Sequence, residues 1–60
     1  MKNNSVRFYH IDCVNGEWIQ QEKVSTILDV FKGGVLVEWE GRPQGKCIAS
    51  ENVIEINYNN

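Results

Sequence analysis

The sequence has few of the residues that build covalent cross-links, metal centres or membrane spans. It contains two cysteines, one histidine, one proline and one methionine in 60 residues. No apolar run approaches the roughly 18 residues of a transmembrane helix, and the polar start Met1–Ser5 lacks the apolar stretch of a signal peptide. We therefore expect a cytoplasmic protein that does not contact membranes and keeps Cys13 and Cys47 as free thiols.

The composition is that of one small globular domain. Apolar residues make up 42% of the chain and charged residues 23%, with a net charge of −2, which is ordinary globular usage and argues against disorder. A chain this short has no room for a two-domain cleft or a dinucleotide-binding fold. We expect a single domain over residues 6–58, with flexible ends at residues 1–5 and 59–60.

Alternation of apolar and polar residues predicts strands separated by turns. The first predicted strand, residues 6–14, places Val6, Phe8 and His10 on one face, and Asn15-Gly16 forms the turn after it. The clearest strand, residues 35–40, places Val35, Val37 and Trp39 towards the core. The remaining predictions are a Gly33-Gly34 turn, a loop over residues 41–45, strands at 46–49 and 53–57, and a 3₁₀ turn at Ser50–Asn52.

Residues 17–32 fit two structures. Val24, Ile27, Leu28 and Phe31 have the spacing of an amphipathic helix, which would give an α+β fold of the βαββ type. The stretch Val24–Phe31 is rich in β-branched side chains, however, and these favour strands. Read with a period of two, it places Val24, Thr26, Leu28 and Val30 on one face. We favour the strand, and with it an all-β fold of five short strands that closes into a small barrel.

The spacing of apolar residues resembles that of the SH3-like small β-barrels of the Tudor, KOW and integrase C-terminal kind. The residues that carry the resemblance are Trp18, the pair Val24-x-x-Ile27, Gly33-Gly34, the run Val35-x-Val37-x-Trp39-x-Gly41, and the last strand Glu51–Ile56. The resemblance covers about fifty residues and implies a five-stranded SH3-like barrel. It implies recognition of proteins, as in Tudor domains, or of nucleic acids, as in KOW and integrase-type barrels.

Catalytic and metal-binding patterns are sparse. His10-x-x-Cys13 with Cys47 offers three soft ligands, whereas a structural zinc site uses four. Cys13 lies near the one histidine, but no flanking motif supplies an oxyanion hole. Glu38 and Glu40 share the exposed face of a strand, where carboxylates are usually solvated. We predict no catalytic residue, no metal site, no cofactor and no enzymatic activity.

The sequence therefore favours a non-enzymatic protein-interaction module. Frequent Asn and Ile, which A/T-rich codons encode, suggest an accessory or regulatory protein of a phage or mobile element. Trp and Tyr are common anchors of interfaces, and charged neighbours orient a partner. The predicted partner-binding residues are Trp18, Tyr9, Glu38, Glu40 and Arg42. Small barrels also gain stability by dimerising, so a homodimer is a form of the same hypothesis.

The alternative is a nucleic-acid-binding barrel. Lys32, Arg42 and Lys46 fall in or beside predicted loops, and Trp18 and Tyr9 would supply a stacking face. Phosphate neutralisation drives such binding, and the eight acidic residues outnumber the six Lys and Arg. The charge balance therefore favours a protein partner.

Overall fold

The computed structural model describes residues 4–58, and all regular structure in that range is β-strand except one short turn. The elements are β1 (Ser5–Val14), β2 (Glu17–Phe31), β3 (Gly34–Trp39), β4 (Arg42–Ala49), a 3₁₀ turn (Ser50–Asn52) and β5 (Val53–Asn57). Of the ends predicted to be flexible, residues 1–3 and 59–60 lie outside the described residues. Ser5 is already the first residue of β1 and pairs with both β2 and β5.

The strands form one antiparallel sheet in the order β4-β3-β2-β1-β5. The all-β prediction and the 3₁₀ turn before the last strand are confirmed. The βαββ alternative is wrong, because residues 17–31 are extended and paired throughout; their β-branched side chains outweigh the helical spacing. The turn at Ser50–Asn52 contacts β1 and β3, and the Ser50 N–H donates to the Gly33 carbonyl at 3.1 Å. Closure of the sheet into a barrel stays a prediction.

A two-residue turn sets the register of the β1–β2 hairpin. Asn15 and Gly16 both have positive φ, 52° and 81°, as the tight hairpin turn with a right-handed twist requires. The ladder then runs without interruption from Val14 opposite Glu17 to Ser5 opposite Thr26. Both strands therefore keep a fixed alternation of faces along their whole paired length.

β2 is long because two different strands share it. Its first ten residues, Glu17–Thr26, pair with β1, and its last five, Ile27–Phe31, pair with β3. The register shifts between Ile27 and Asp29, so the predicted single face of Val24, Thr26, Leu28 and Val30 is broken. Ile27 packs against the core instead, whereas Val24 and Leu28 are exposed.

β4 begins four residues earlier than the sequence predicted. The predicted loop over residues 41–45 is wrong, because Arg42 already pairs with Trp39. The ladder continues at Lys46 opposite Val37, after a register shift that leaves Pro43, Gln44 and Gly45 facing only Glu38. A strand with Pro and Gly is tolerated here because β4 lies at the edge of the sheet, where a bulge costs few hydrogen bonds.

The core is small and lies where the two ladders meet. Its buried members are Val6, Phe8, Val35, Val37 and Ile48. Half-buried side chains of Ile27, Trp39, Val53 and Ile56 pack against them. The predicted core face of β3 is confirmed, since Val35 and Val37 are buried, Trp39 is half-buried and Glu38 is exposed. On β1, the face of Val6 and Phe8 is the buried one.

Gly45 is required at the β4 bulge. Its φ is +81°, and a Cβ there would collide with the Val37 carbonyl oxygen. Gly41 has nearly the same φ, +82°, but a Cβ there would meet nothing within 4 Å. We expect Gly41→Ala to lower the free energy of unfolding by about 1 kcal/mol through the φ penalty alone, and Gly45→Ala by about 3 kcal/mol. Urea denaturation of both variants measures the difference; equal losses would contradict the bulge.

Candidate interaction surface

The β1–β2 hairpin extends beyond the rest of the sheet as a two-stranded arm. β5 covers β1 only as far as Phe8, and β3 joins β2 only from Ile27 onwards. Within residues 4–58, the stretches Tyr9–Val14 and Glu17–Glu22 therefore pair only with each other; these two stretches and their turn are here called the arm. The molecule measures 40 × 23 × 19 Å. Isolated two-stranded ribbons are marginal in water, so the sheet behind the arm must anchor it.

One face of the arm is apolar and exposed. Residues directly opposite each other share a face, and Tyr9, Ile11 and Cys13 lie opposite Glu22, Gln20 and Trp18. The same face continues to Val24, opposite Arg7. Trp18 is 76% exposed, Ile11 60% and Val24 62%. This face, the outer face, is formed by Tyr9, Ile11, Cys13, Trp18, Gln20, Glu22 and Val24.

Arg7 forms ion pairs with two carboxylates at the base of the outer face. Its Nε lies 3.4 Å from Glu22 Oε1, and its Nη1 lies 3.7 Å from Glu55 Oε2. These ion pairs join β1 to the strands on both sides of it. All three side chains are about half exposed, so each pair contributes well under about 1 kcal/mol. Their main effect is to offset part of the acidic charge beside the outer face.

A groove of about 680 Å³ lies between β2 and the β3–β4 turn. It forms because β2 pairs with β3 only from Ile27 onwards, so the two strands separate before that point. Val24 belongs both to the groove and to the outer face, which makes the two surfaces continuous. The groove is lined by Ser5, Val24, Ser25, Thr26, Leu28, Glu38, Trp39, Glu40, Arg42 and Pro43.

Trp39 is the centre of an aromatic and basic cluster on the core side of the arm. Its ring lies 4.9 Å from the His10 ring and 6.1 Å from the Phe8 ring, centroid to centroid. The Lys23 and Lys46 ammonium groups lie 5.9 and 5.3 Å from the Trp39 centroid, within the range of cation–π attraction. Lys23 faces the core side because it pairs with buried Phe8.

The structure divides the predicted partner-binding residues into two groups. Glu38, Glu40 and Arg42 come together at the groove, whereas Trp18 and Tyr9 lie on the outer face. Trp18 is the second residue of β2. Its side chain is 76% exposed, so it does not cover the core.

The basic residues considered for nucleic-acid binding are also dispersed. Lys46 lies at Trp39 on the core side, and Arg42 lines the groove. Lys32 lies in the β2–β3 turn, at the opposite end of β3 from Arg42. Trp18 and Tyr9 face away from Lys23 along the arm. The aromatic and basic groups expected to act together therefore lie on different faces.

The residues weighed as metal ligands or nucleophiles do not cluster. Cys13 and Cys47 are exposed free thiols, and Cys13 and His10 point to opposite faces of β1. Within residues 4–58, no three side chains of His, Cys, Asp and Glu form a group suited to a metal ion. The same range contains no helix long and apolar enough to cross a membrane.

The two exposed aliphatic side chains of the outer face, Ile11 and Val24, were not anticipated. The Asn15-Gly16 turn carried the necessary signal, because a two-residue hairpin fixes every cross-strand pair once its turn is located. Counting outward from that turn places Ile11 opposite Gln20 and Val24 opposite Arg7, as observed. No comparable pattern in the sequence predicts the groove, because the groove depends on the residue at which β2 changes its pairing partner.

The chain matches no protein-family model, no curated protein and no solved structure. The resemblance to SH3-like barrels therefore stays a prediction.

The two tryptophans are expected to differ in access to solvent. The Trp39→Phe variant contains Trp18 as its single tryptophan, and the Trp18→Phe variant contains Trp39 as its single tryptophan. We expect the Trp18 protein to emit at longer wavelength and to be quenched more strongly by acrylamide, because Trp18 is 76% exposed and Trp39 is half-buried. Equal quenching in dilute solution would contradict the described arm.

Proposed function

We propose that the chain is a non-enzymatic protein-interaction module of the cytoplasm, which binds its partner through the outer face of the arm. The observation that supports this most is the exposure of Trp18 on the same face as Tyr9 and Ile11. Trp and Tyr are enriched among residues that dominate binding energy. An apolar face of this kind on a small protein is typical of an interaction site.

The groove supplies charge next to the apolar face. Glu38, Glu40 and Arg42 line it, and Val24 connects it to the outer face. A partner that covers Trp18 and continues past Val24 meets two carboxylates and one guanidinium. Such charges contribute mainly to orientation and association rate. We therefore propose that apolar side chains of the arm anchor the partner and that charged side chains of the groove orient it.

Nucleic-acid binding is the second candidate, and the cluster at Trp39 favours it. Lys23 and Lys46 approach the ring, and His10 lies against it. A base would have to stack on a ring that is half-buried and already in contact with these side chains. The separation of this cluster from Trp18 and the net charge of −2 make a protein partner the better-supported proposal.

Partner binding is tested with a matched pair of aromatic variants. Trp18→Ala removes the proposed anchor, and Tyr58→Ala removes an exposed aromatic outside the arm; their exposures are 76% and 62%. Immobilised wild-type chain is used to retain proteins from the source cell, which are identified and quantified by mass spectrometry. We expect Trp18→Ala to lower retention of the specific partner by about tenfold or more, as for a typical anchor, and Tyr58→Ala to leave it unchanged.

Circular dichroism of both variants controls for folding, since neither side chain is buried. Equal retention by Trp18→Ala and the wild type, with both folded, would overturn the proposed site.

A salt titration separates the two candidate functions. We expect no binding to single-stranded DNA, RNA or duplex DNA at low salt, measured by fluorescence anisotropy. Tight binding that weakens steeply as salt increases would favour the nucleic-acid candidate. In that case Lys46→Ala should weaken binding, while Trp18→Ala should not.

A further inference from the structure

The first half of β2 has a sheet edge that no strand in the described chain covers. Glu17–Thr26 pair with β1 on one side, and β3 begins only at Ile27. Val14 and Glu17 flank the tight turn and so form a hydrogen-bonded pair, after which the pairs alternate. The backbone groups of Trp18, Gln20, Glu22 and Val24 therefore point away from β1, towards the uncovered side.

The other edges of the sheet are protected in ways that this edge is not. On the free edge of β1, the Cys13 N–H already donates to Asp12 Oδ1 at 3.0 Å. β4 carries Pro43, which has no N–H, and a bulge, and β5 has only five residues. These are the usual means by which edge strands avoid pairing. The long, regular edge of β2 is the one suited to accept another strand.

We propose that this edge of β2 pairs with the same edge of a second copy, antiparallel, with Gln21 on the two-fold axis. The occupant is a second copy because the edge is complementary to itself. When the two-fold axis is perpendicular to the sheet, each face of one copy is continuous with the same face of the other. Residues that lie opposite each other across the interface therefore come from the same face. Within Glu17–Thr26, the two registers with the greatest overlap place either Gln21 or Glu22 on the axis.

Charge and apolar pairing select one of these registers. With Glu22 on the axis, its carboxylate lies directly opposite the same carboxylate of the second copy, which is destabilising. With Gln21 on the axis, Trp18 lies opposite Val24 and Gln20 lies opposite Glu22, each pair occurring twice by symmetry. This register places the two most exposed apolar side chains of β2 side by side across the interface and places no like charges opposite each other.

The groove accommodates the end of the second arm in this register. In this register, Glu17 of the second copy lies opposite Ser25 of the first. The Asn15-Gly16 turn of the second copy therefore lies alongside Thr26 of the first. Ser25 and Thr26 line the groove on one side, and Trp39 and Glu40 line it on the other. A groove of about 680 Å³ has room for a tight turn, and the separation of β2 from β3 keeps β3 out of the path of the added strand.

The inference concerns the edge of β2, whereas the proposed function concerns the outer face of the arm, so either can fail alone. Pairing at the edge joins the two outer faces side by side and leaves Tyr9 and Ile11 open to a partner. In the dimer, the turn of the second copy occupies the groove, so a partner would bind across the two joined outer faces.

The register is tested with opposite charges at one exposed position. Gln20→Lys places an ammonium group opposite Glu22 at two symmetric sites, and Gln20→Glu places a carboxylate there. Cross-strand charge pairs of about 0.2–1 kcal/mol each predict that Gln20→Lys lowers the dimer dissociation constant by about two- to thirtyfold and that Gln20→Glu raises it by a similar factor. Sedimentation equilibrium of the full chain measures all three constants.

A wild-type chain that stays monomeric at millimolar concentration would overturn the proposal and leave the edge to a strand of another protein. A dimer whose dissociation constant is the same in both variants would overturn it too, because the interface would lie elsewhere. A mixed sample of isotope-labelled and unlabelled chains gives a second readout. We expect an intermolecular NOE between the Trp18 indole and the Val24 methyl groups, which lie about 20 Å apart along one strand.

Discussion

The structure depends on one strand that belongs to two ladders. The first ten residues of β2 pair with β1, and its last five pair with β3. The change of partner at Ile27 brings the two ladders together over Val6, Phe8 and Val37, which are the fully buried centre of the core. It also leaves the first half of β2 uncovered on one side and opens the groove beside it. Core, arm and groove are thus consequences of the same pairing.

The small core explains why so much apolar surface remains outside. A domain of this length buries only about 60% of the surface of its unfolded chain, and within residues 4–58 five apolar side chains are buried. Large side chains at the arm, such as Trp18 and Ile11, add nothing to this core. These side chains lie together on one exposed face, where Arg7 forms an ion pair with Glu22. This arrangement is the physical basis for the proposal that the arm binds a protein.

The sequence predicted the strands better than it predicted the surface. β-branched residues identified β2 against its helical spacing, and alternation identified the buried face of β3. The loop over residues 41–45 was wrong because Pro43 and Gly45 were interpreted as interruptions, whereas an edge strand accommodates both in a bulge. The groove that unites Glu38, Glu40 and Arg42 depends on where β2 leaves β1, and no local pattern of residues marks that point. The cross-strand pairs of the β1–β2 hairpin could have been derived from the Asn15-Gly16 turn.

The most direct test of this account is amide hydrogen exchange along β2, measured by NMR at low and high protein concentration. At low concentration, the amides of Ile19, Gln21 and Lys23 should be protected by β1, while those of Gln20 and Glu22 should exchange rapidly. At high concentration, the rapidly exchanging amides should become protected as the second copy pairs. Uniform protection of Ile19–Lys23 at low concentration would contradict the account, because it would mean that a strand of the same chain already covers the edge.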